Sequence, residues 1–423
     1  MIASENVIEE RRARAQEAWG LTDQVVLIGG GGPISIPGGA DQCFPYKPHP
    51  DYFWLTNRRR ELGVLAFDPA AGWTLFEPHV TEHERVWGGS EDPVGLPLDN
   101  LERWLSERSD RPLALLGVAP SNLPFDEDLT NRLGSALLHA RRPKDEAEID
   151  LMRLAAKATA AGYESARRVI RPGVTERQIK IELESAFVRA GADGPGYSSV
   201  VGIGPNSAVF HFTPGARAAM EGDLVLIDAG AEVSSYVMDV TRTYPASSAF
   251  TAEQQAIYDA VLKAELLAID ACRPNAEWHE VHRLSALSLS ESLRDYGILK
   301  CSPEEAVESE AIALFFPHGI GHMVGLGVRD ASGPLPTRSG KGKVAGVSVR
   351  MDIPLLPGYS LTIEPGIYFI PALLNDPKRH ARFADQINWS SVAPWIGKGG
   401  IRIEDTVIVT NGEPLVLSSD IPK

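Results

Sequence analysis

Three short apolar runs in this chain each lead into a carboxylate, and that pattern restricts the fold more than any other feature. Leu224–Ile227 runs into Asp228, Leu361–Ile363 runs into Glu364, and Ile401 and Ile403 alternate with Arg402 and Glu404. Apolar runs of this length are expected to be buried strands. A carboxylate at the end of such a strand is costly to bury unless a cation or hydrogen-bond donors compensate it. A second strand-like run, Tyr236–Tyr244, follows the first across a hairpin and carries Asp239. Side chains alternate faces along a strand, so Asp228 and Asp239 can converge on one point. Either aspartate alone is accounted for by a turn cap or by pairing with Arg242. The matching ligands further along the chain favour a shared site.

The rest of the chain reads as two parts. MIASENVIEERRARAQEAWG is a charged helix without an apolar core region, so no secretory signal is expected. Val25–Ile28 reads as a strand followed by Gly29–Gly32, a glycine run that lacks the Lys and Ser/Thr of a phosphate loop and is expected to be a turn. Tyr52–Thr56, Gly63–Asp68, Trp73–Glu77 and Leu113–Val118 are expected strands, and Leu101–Arg108 is amphipathic. Strands alternating with helices predict a small α/β domain over residues 1–142. Pro143 interrupts the pattern, and a second domain is expected over 143–423. It opens with a long helix that Pro172 and Gly173 stop, then a helix over Thr175–Ala190 with Thr175 as N-cap. Thr251–Cys272 and Trp278–Tyr296 are expected helices, and turn-rich strands follow, Ser360–Phe369 and Ile401–Val409 the clearest. Two helices followed by strands thus occur twice, over 144–244 and 251–409, which suggests an internal duplication without an alignable residue pattern.

HGIGHMVGLGVRD begins at His318 and places His322 four residues on, but its glycines argue for strand and turn rather than helix. Asp228, Asp239, His322, Glu364 and Glu404 then form a set of four carboxylates and one imidazole. Packed without a cation, the carboxylates would push one another's pKa values far up. Two divalent ions a few ångströms apart would remove that penalty and make a hydrolytic site. A set rich in oxygen with one nitrogen favours Mn²⁺, with Co²⁺ or Zn²⁺ as alternatives.

The order DAG, DVTRT, HGIGH, EPG, RIED resembles the prolidase and aminopeptidase P branch of the pita-bread metallopeptidases, over about 144–410. PDYFWLTN and ERVWGG are similar, more weakly, to that family's smaller N-terminal domain. The resemblance implies an α+β protein, a small α/β domain followed by a pita-bread catalytic domain. It implies Asp228 terminal on one metal, His322 terminal on the other, Asp239 and Glu404 bridging, and Glu364 as a ligand that also handles protons on the attacking water. His211, His318 and Tyr368 match positions lining the substrate pocket, with His318 donating to the developing oxyanion. One position departs from the family: its usual histidine, in a VHD sequence, is here Val328-Arg329-Asp330. Arginine cannot deliver a proton at neutral pH, but it can hold a carboxylate as a bidentate fork. Arg329 is therefore expected either to grip the free carboxylate of a C-terminal proline, with Arg402 as its rival, or to pair with Asp330 or another nearby acid.

The expected activity is hydrolysis of the bond preceding proline in Xaa-Pro dipeptides. Aminopeptidase P action on longer peptides is the alternative, and a creatinase-like relative without peptidase activity is another. With 41 basic against 56 acidic residues, a net charge of −15, neither nucleic acid nor an anionic membrane is an expected partner. Three widely spaced cysteines without a CxxC pair fit a reducing cytoplasm. The resemblance also implies a homodimer.

Overall fold

Helix α1 (Glu5–Trp19) is closed by Gly20 in the left-handed conformation. The computed structural model describes residues 4–89, 92–120, 123–335, 337–338 and 342–423. The chain divides into two units, Met1–Arg141 and Arg142–Lys423.

In the first unit α1 is followed by β1 (Val25–Gly30), α2 (Pro50–Thr56), β2 (Val64–Asp68), β3 (Gly72–Glu77), α3 (Glu82–Gly88), β4 (Leu96–Pro97), α4 (Asn100–Ser106), β5 (Leu113–Val118) and α5 (Glu127–Arg141). The strands form one sheet in the order β4-β3-β2-β1-β5, with β1 parallel to β5 and antiparallel to β2. Val25, Leu27, Val64, Ala66 and Phe76 pack with Leu101 and Trp104 of α4 into a core on one face of the sheet. Two expectations are corrected. Gly29 and Gly30 do not form a turn but continue β1, opposite Gly117 and Val118 of β5. Tyr52–Thr56 is not a strand but most of helix α2. All five of its residues are buried, so their apparent alternation marks no face. Pro50 in the first turn and the His49 ring, which accepts from the Asp51 N–H, start the helix.

The second unit opens with α6 (Glu146–Val169) and α7 (Glu176–Arg189), each begun by a reciprocal capping box, Asp145 with Glu148 and Thr175 with Gln178. Then come β6 (Gly194–Pro195), β7 (Val200–Ile203), β8 (Leu224–Asp228), β9 (Ala231–Val233), β10 (Tyr236–Val237) and β11 (Thr241–Pro245). Here the hairpin differs from expectation: Tyr236–Tyr244 is two strands, broken at Met238–Val240. β10 pairs with β9, while β11 pairs with β8. The break falls where Gly230 meets the Met238 carbonyl so closely that a Cβ would stand 1.7 Å from its oxygen. Asp239 sits in that break.

Helices α8 (Ala252–Asp270) and α9 (Trp278–Asp295) form the second packed pair, followed by α10 (Pro303–Glu308). Strands β12 (Lys343–Val344), β13 (Val347–Ser348), β14 (Ser360–Ile363) and β15 (Gly366–Tyr368) come next. Short helices α11 (Pro371–Leu374), α12 (Pro377–Arg382) and α13 (Trp389–Val392) precede β16 (Gly400–Arg402), β17 (Asp405–Ile408) and β18 (Leu415–Val416). The expectation of strands alone after Tyr296 is corrected by α10 to α13, which are too short to show an apolar period. The sheets β11-β8-β7 and β14-β17-β18 each follow a helix pair. They are joined where Thr241 and Glu404 exchange both backbone hydrogen bonds, at 3.3 and 3.0 Å. Arg242 lies beneath this joint with its side chain fully buried. It bonds the Asp405 carboxylate at 2.7 Å and the Glu404 carbonyl at 2.8 Å, rather than either Asp228 or Asp239.

Candidate active site

Each candidate ligand is delivered by an element that ends, breaks or turns where the ligand stands. Asp228 closes β8, in register with Val200 of β7 and Thr241 of β11. Asp239 is fixed by its N–H on Thr406 Oγ1 at 3.2 Å and by its carbonyl, which accepts from the same hydroxyl at 2.8 Å. His322 and Glu364 are tied together through the backbone. Thr362 N donates to the His322 carbonyl and Glu364 N to the Ile320 carbonyl, both at 2.8 Å. This pairing needs glycine at 321, where a Cβ would lie 2.0 Å from the Thr362 carbonyl oxygen. Glu404 lies between β16 and β17, and Thr241 Oγ1 donates to its Oε2 at 2.6 Å.

These elements bring all five residues together. His322 Nε2 is 3.2 Å from Asp239 Oδ2 and 3.8 Å from Glu364 Oε1. One ligand atom each from Asp239, His322 and Glu404 falls within a 4.8 Å cluster. The Tyr197 hydroxyl reaches Oδ1 of Asp228 at 2.8 Å and Oδ1 of Asp239 at 2.5 Å. Burial raises the pKa of Asp228, Asp239, Glu364 and Glu404, and the carboxylates raise one another further. Asp239 is pushed to about 6 and Glu364 to about 7, against the opposing charges of Arg402 and Arg329.

Whether these residues fit a metal is decided by their lone pairs. His322 Nδ1–H donates to the Met323 carbonyl at 2.9 Å, which leaves Nε2 as a lone pair. That lone pair points at a carboxylate oxygen, so acceptor faces acceptor, an arrangement that only a proton or a cation stabilises. The donor set therefore fits divalent ions.

The cavity in front of this floor measures about 470 Å³. Its walls include Phe210, His211, Val200, Lys180, Arg329 and Arg350. His211 stands exposed on one wall, and Arg329 and Arg350 are close enough to feel each other's charge. His318 is held neutral, its pKa driven down to about 3 by burial first and then by Arg402. Its Nδ1–H donates to the Gly319 carbonyl at 2.9 Å and lies 3.8 Å from Glu364 Oε2, while Nε2 accepts from the Tyr368 hydroxyl at 2.9 Å. Tyr368 is therefore behind His318, packed edge-on to Phe210. Arg402 commits its donors within the site, to Asp228, to Tyr368 Oη at 2.9 Å and to Thr241 Oγ1 at 3.0 Å. Each nitrogen of its guanidinium thus has a partner within the site, while Arg402 also lines the cavity. Tyr197, Thr241, Thr362 and Arg350 escaped the sequence reading. Thr241 lay inside the DVTRT motif. The others follow no spacing rule, since only the fold sets them beside the ligands.

A carboxylate-rich floor with one imidazole, carried by paired sheets at the base of a cleft, is the arrangement of a metal-dependent hydrolase. Residues 150–411 match metallopeptidase family M24, and the chain belongs to that family. It is 31% identical over 416 residues to a Xaa-Pro dipeptidase of Xanthomonas campestris pv. campestris (strain 8004), covering 93% of each chain. It is 33% identical over 378 residues to a Xaa-Pro dipeptidase of Homo sapiens, covering 82% of this chain and 76% of that one. The structure of Pseudomonas aeruginosa aminopeptidase PepP superposes with a TM-score of 0.79 at 27% identity, covering 100% of this chain and 97% of that one. The protein is a metallopeptidase of α+β fold, and its family implies divalent metal ions. Among the described residues no helix is long and apolar enough to cross a membrane.

Proposed function

We propose that this metallopeptidase hydrolyses the peptide bond preceding proline, with Xaa-Pro dipeptides as its substrate class. The observation that carries the reading is the cavity's charge pattern: carboxylates on the floor, and Arg329 and Arg350 on one wall. A dipeptide is a zwitterion whose two charges lie one residue either side of the scissile bond. Its ammonium suits the carboxylate floor, and its carboxylate suits the arginine pair. Asp228, Asp239, His322, Glu364 and Glu404 are the residues that would hold the metal ions. Two divalent ions held there would supply Lewis acidity and a nucleophile at neutral pH, and the oxygen-rich set favours Mn²⁺ over Co²⁺ or Zn²⁺.

This chain's own residues do the rest. Tyr197 holds Asp228 and Asp239 together, and Thr241 fixes one oxygen of Glu404. Glu364 takes and returns the proton of the attacking water. His318 presents its Nδ1–H toward the reacting end and exchanges the Gly319 carbonyl for the developing oxyanion. Tyr368 and Arg402 set the ring that does so, and His211 lines the opposite wall. A cytoplasmic homodimer fits the composition and the resemblance.

The second reading, removal of the first residue from longer Xaa-Pro peptides, is favoured by the likeness to aminopeptidase PepP. The test compares Ala-Pro, Ala-Pro-amide and Ala-Pro-Ala on metal-loaded enzyme. Strong preference for the free acid is expected, and equal rates on all three transfer the protein to the second reading.

A further inference from the structure

The cavity carries a charge that the chemistry does not use. Lys180 lies on α7, the helix that packs against β7, and its side chain forms part of the cavity wall beside Ser199 and Val200. Val200 pairs directly with Asp228 across the sheet. Lys180 therefore stands on the β7 side of the cavity, whereas Arg350 belongs to the stretch that passes Gly319, with the charge of Arg329 close to it. A dipeptide oriented by its own charges, carboxylate to the arginines and ammonium to the carboxylates, directs its first side chain toward Val200 and Lys180.

The acid that pairs with this charge takes no hydrogen bond from it. Glu184, one helical turn on, comes within 3.6 Å of Lys180 Nζ, an ion-pair distance but too long for a hydrogen bond. The same carboxylate oxygen accepts from the buried Ser199 hydroxyl at 2.8 Å. Glu184 is turned into the wall and Lys180 faces the cavity, so the ammonium keeps its donors for a ligand. Its side chain is 33% exposed, enough for an anionic group to reach and enough for solvent to temper the attraction.

We propose that Lys180 is a specificity residue that makes the site prefer an acidic residue before the scissile bond, so that Asp-Pro and Glu-Pro are better substrates than Lys-Pro. The proposal rests on the Xaa-Pro reading. An anionic side chain gains the ammonium as a partner, and a cationic one meets a like charge. Partly solvated charge pairs give small effects, so the expected preference is about fivefold in kcat/KM for Glu-Pro over Ala-Pro and about tenfold over Lys-Pro, mainly through KM.

The test measures kcat/KM for Glu-Pro, Ala-Pro and Lys-Pro with metal-loaded wild type, Lys180→Met, Lys180→Arg and Lys180→Glu. Calorimetric binding of the same dipeptides to a Glu364→Gln background gives a readout independent of turnover. Lys180→Met should collapse the Glu-Pro to Lys-Pro ratio toward one, Lys180→Arg should restore it, and Lys180→Glu should invert it, in rates and in binding alike. A wild type that hydrolyses Ala-Pro without charge preference overturns the proposal and leaves the Xaa-Pro reading standing. Loss of the same size on all three dipeptides in Lys180→Met, with no rescue by Lys180→Arg, also overturns it. Failure of metal-loaded wild type on every Xaa-Pro dipeptide overturns both.

Discussion

His322 Nε2 faces Asp239 Oδ2 at 3.2 Å, while the other nitrogen of its ring is committed to the Met323 carbonyl. Two acceptors at that distance are waiting for a cation. Protein loaded with Mn²⁺ is therefore expected to bind up to two ions per chain, and chelation to abolish hydrolysis. Asp239→Ala and Glu404→Ala, which remove the expected bridges, should lower metal content by more than one ion. Elemental analysis of purified variants decides this, and full activity after verified metal removal would end the metal reading.

The crowded carboxylates predict how stability depends on pH. In the metal-free protein Asp239 and Glu364 have pKa values of about 6 and 7, above the ordinary 3.8 and 4.5. A carboxyl group raised on folding contributes stability that is fully present below its unfolded pKa and lost as pH rises through its folded pKa. The metal-free protein should therefore lose stability between about pH 4 and pH 7 through this site. Bound Mn²⁺ removes that loss, so the rise in Tm on adding metal should be larger at pH 7.5 than at pH 5.5. Thermal unfolding at the two pH values checks the sign, and a smaller rise at pH 7.5 contradicts it.

His318 joins the backbone carbonyl of Gly319 to the hydroxyl of Tyr368 and has its only N–H on the Glu364 side. His318→Ala is expected to keep its metals and lose kcat by on the order of 10²-fold. A loss confined to KM would make it a residue that only holds substrate.

Arg329 and Arg350 share one wall, and each is expected to contribute to recognition of a free carboxylate. Arg329→Ala and Arg350→Ala should lower the rate on Ala-Pro at least tenfold more than on Ala-Pro-amide, as loss of a charge-assisted pair implies. Parallel losses on both substrates would assign the two arginines to structure instead.

Beneath the site, Arg242 is sealed against Asp405 while also holding the Glu404 carbonyl. Arg242→Met leaves a buried acid with one partner fewer. It is expected to destabilise the protein by about 3–5 kcal/mol, the range for breaking a buried pair from one side. Denaturant unfolding of the metal-free variant measures it, and a change under 1 kcal/mol would show the pair to be dispensable.

Among the elements, the long helices with capping boxes at Asp145, Thr175 and Thr251 were legible in the amino-acid order, because caps and apolar periods are local. So were β8 and β14, since each is an apolar run that stops at its carboxylate, Asp228 and Glu364. Helix α2 was not, because burial on every side erases the period that separates helix from strand. The break at Asp239 was not legible either. It depends on Gly230, in the link between β8 and β9, pressing against Met238. Tyr197, Lys180 and Thr241 gained their places at the site only through the pairing of β7 with β8 and the joint between Thr241 and Glu404, and Arg350 through the stretch that passes Gly319. Residue type and local pattern set which groups could bear the chemistry. The tertiary structure decided which lone pairs face each other and which arginine is spent on Asp228, because hydrogen-bond direction and charge separation exist only after distant strands have met.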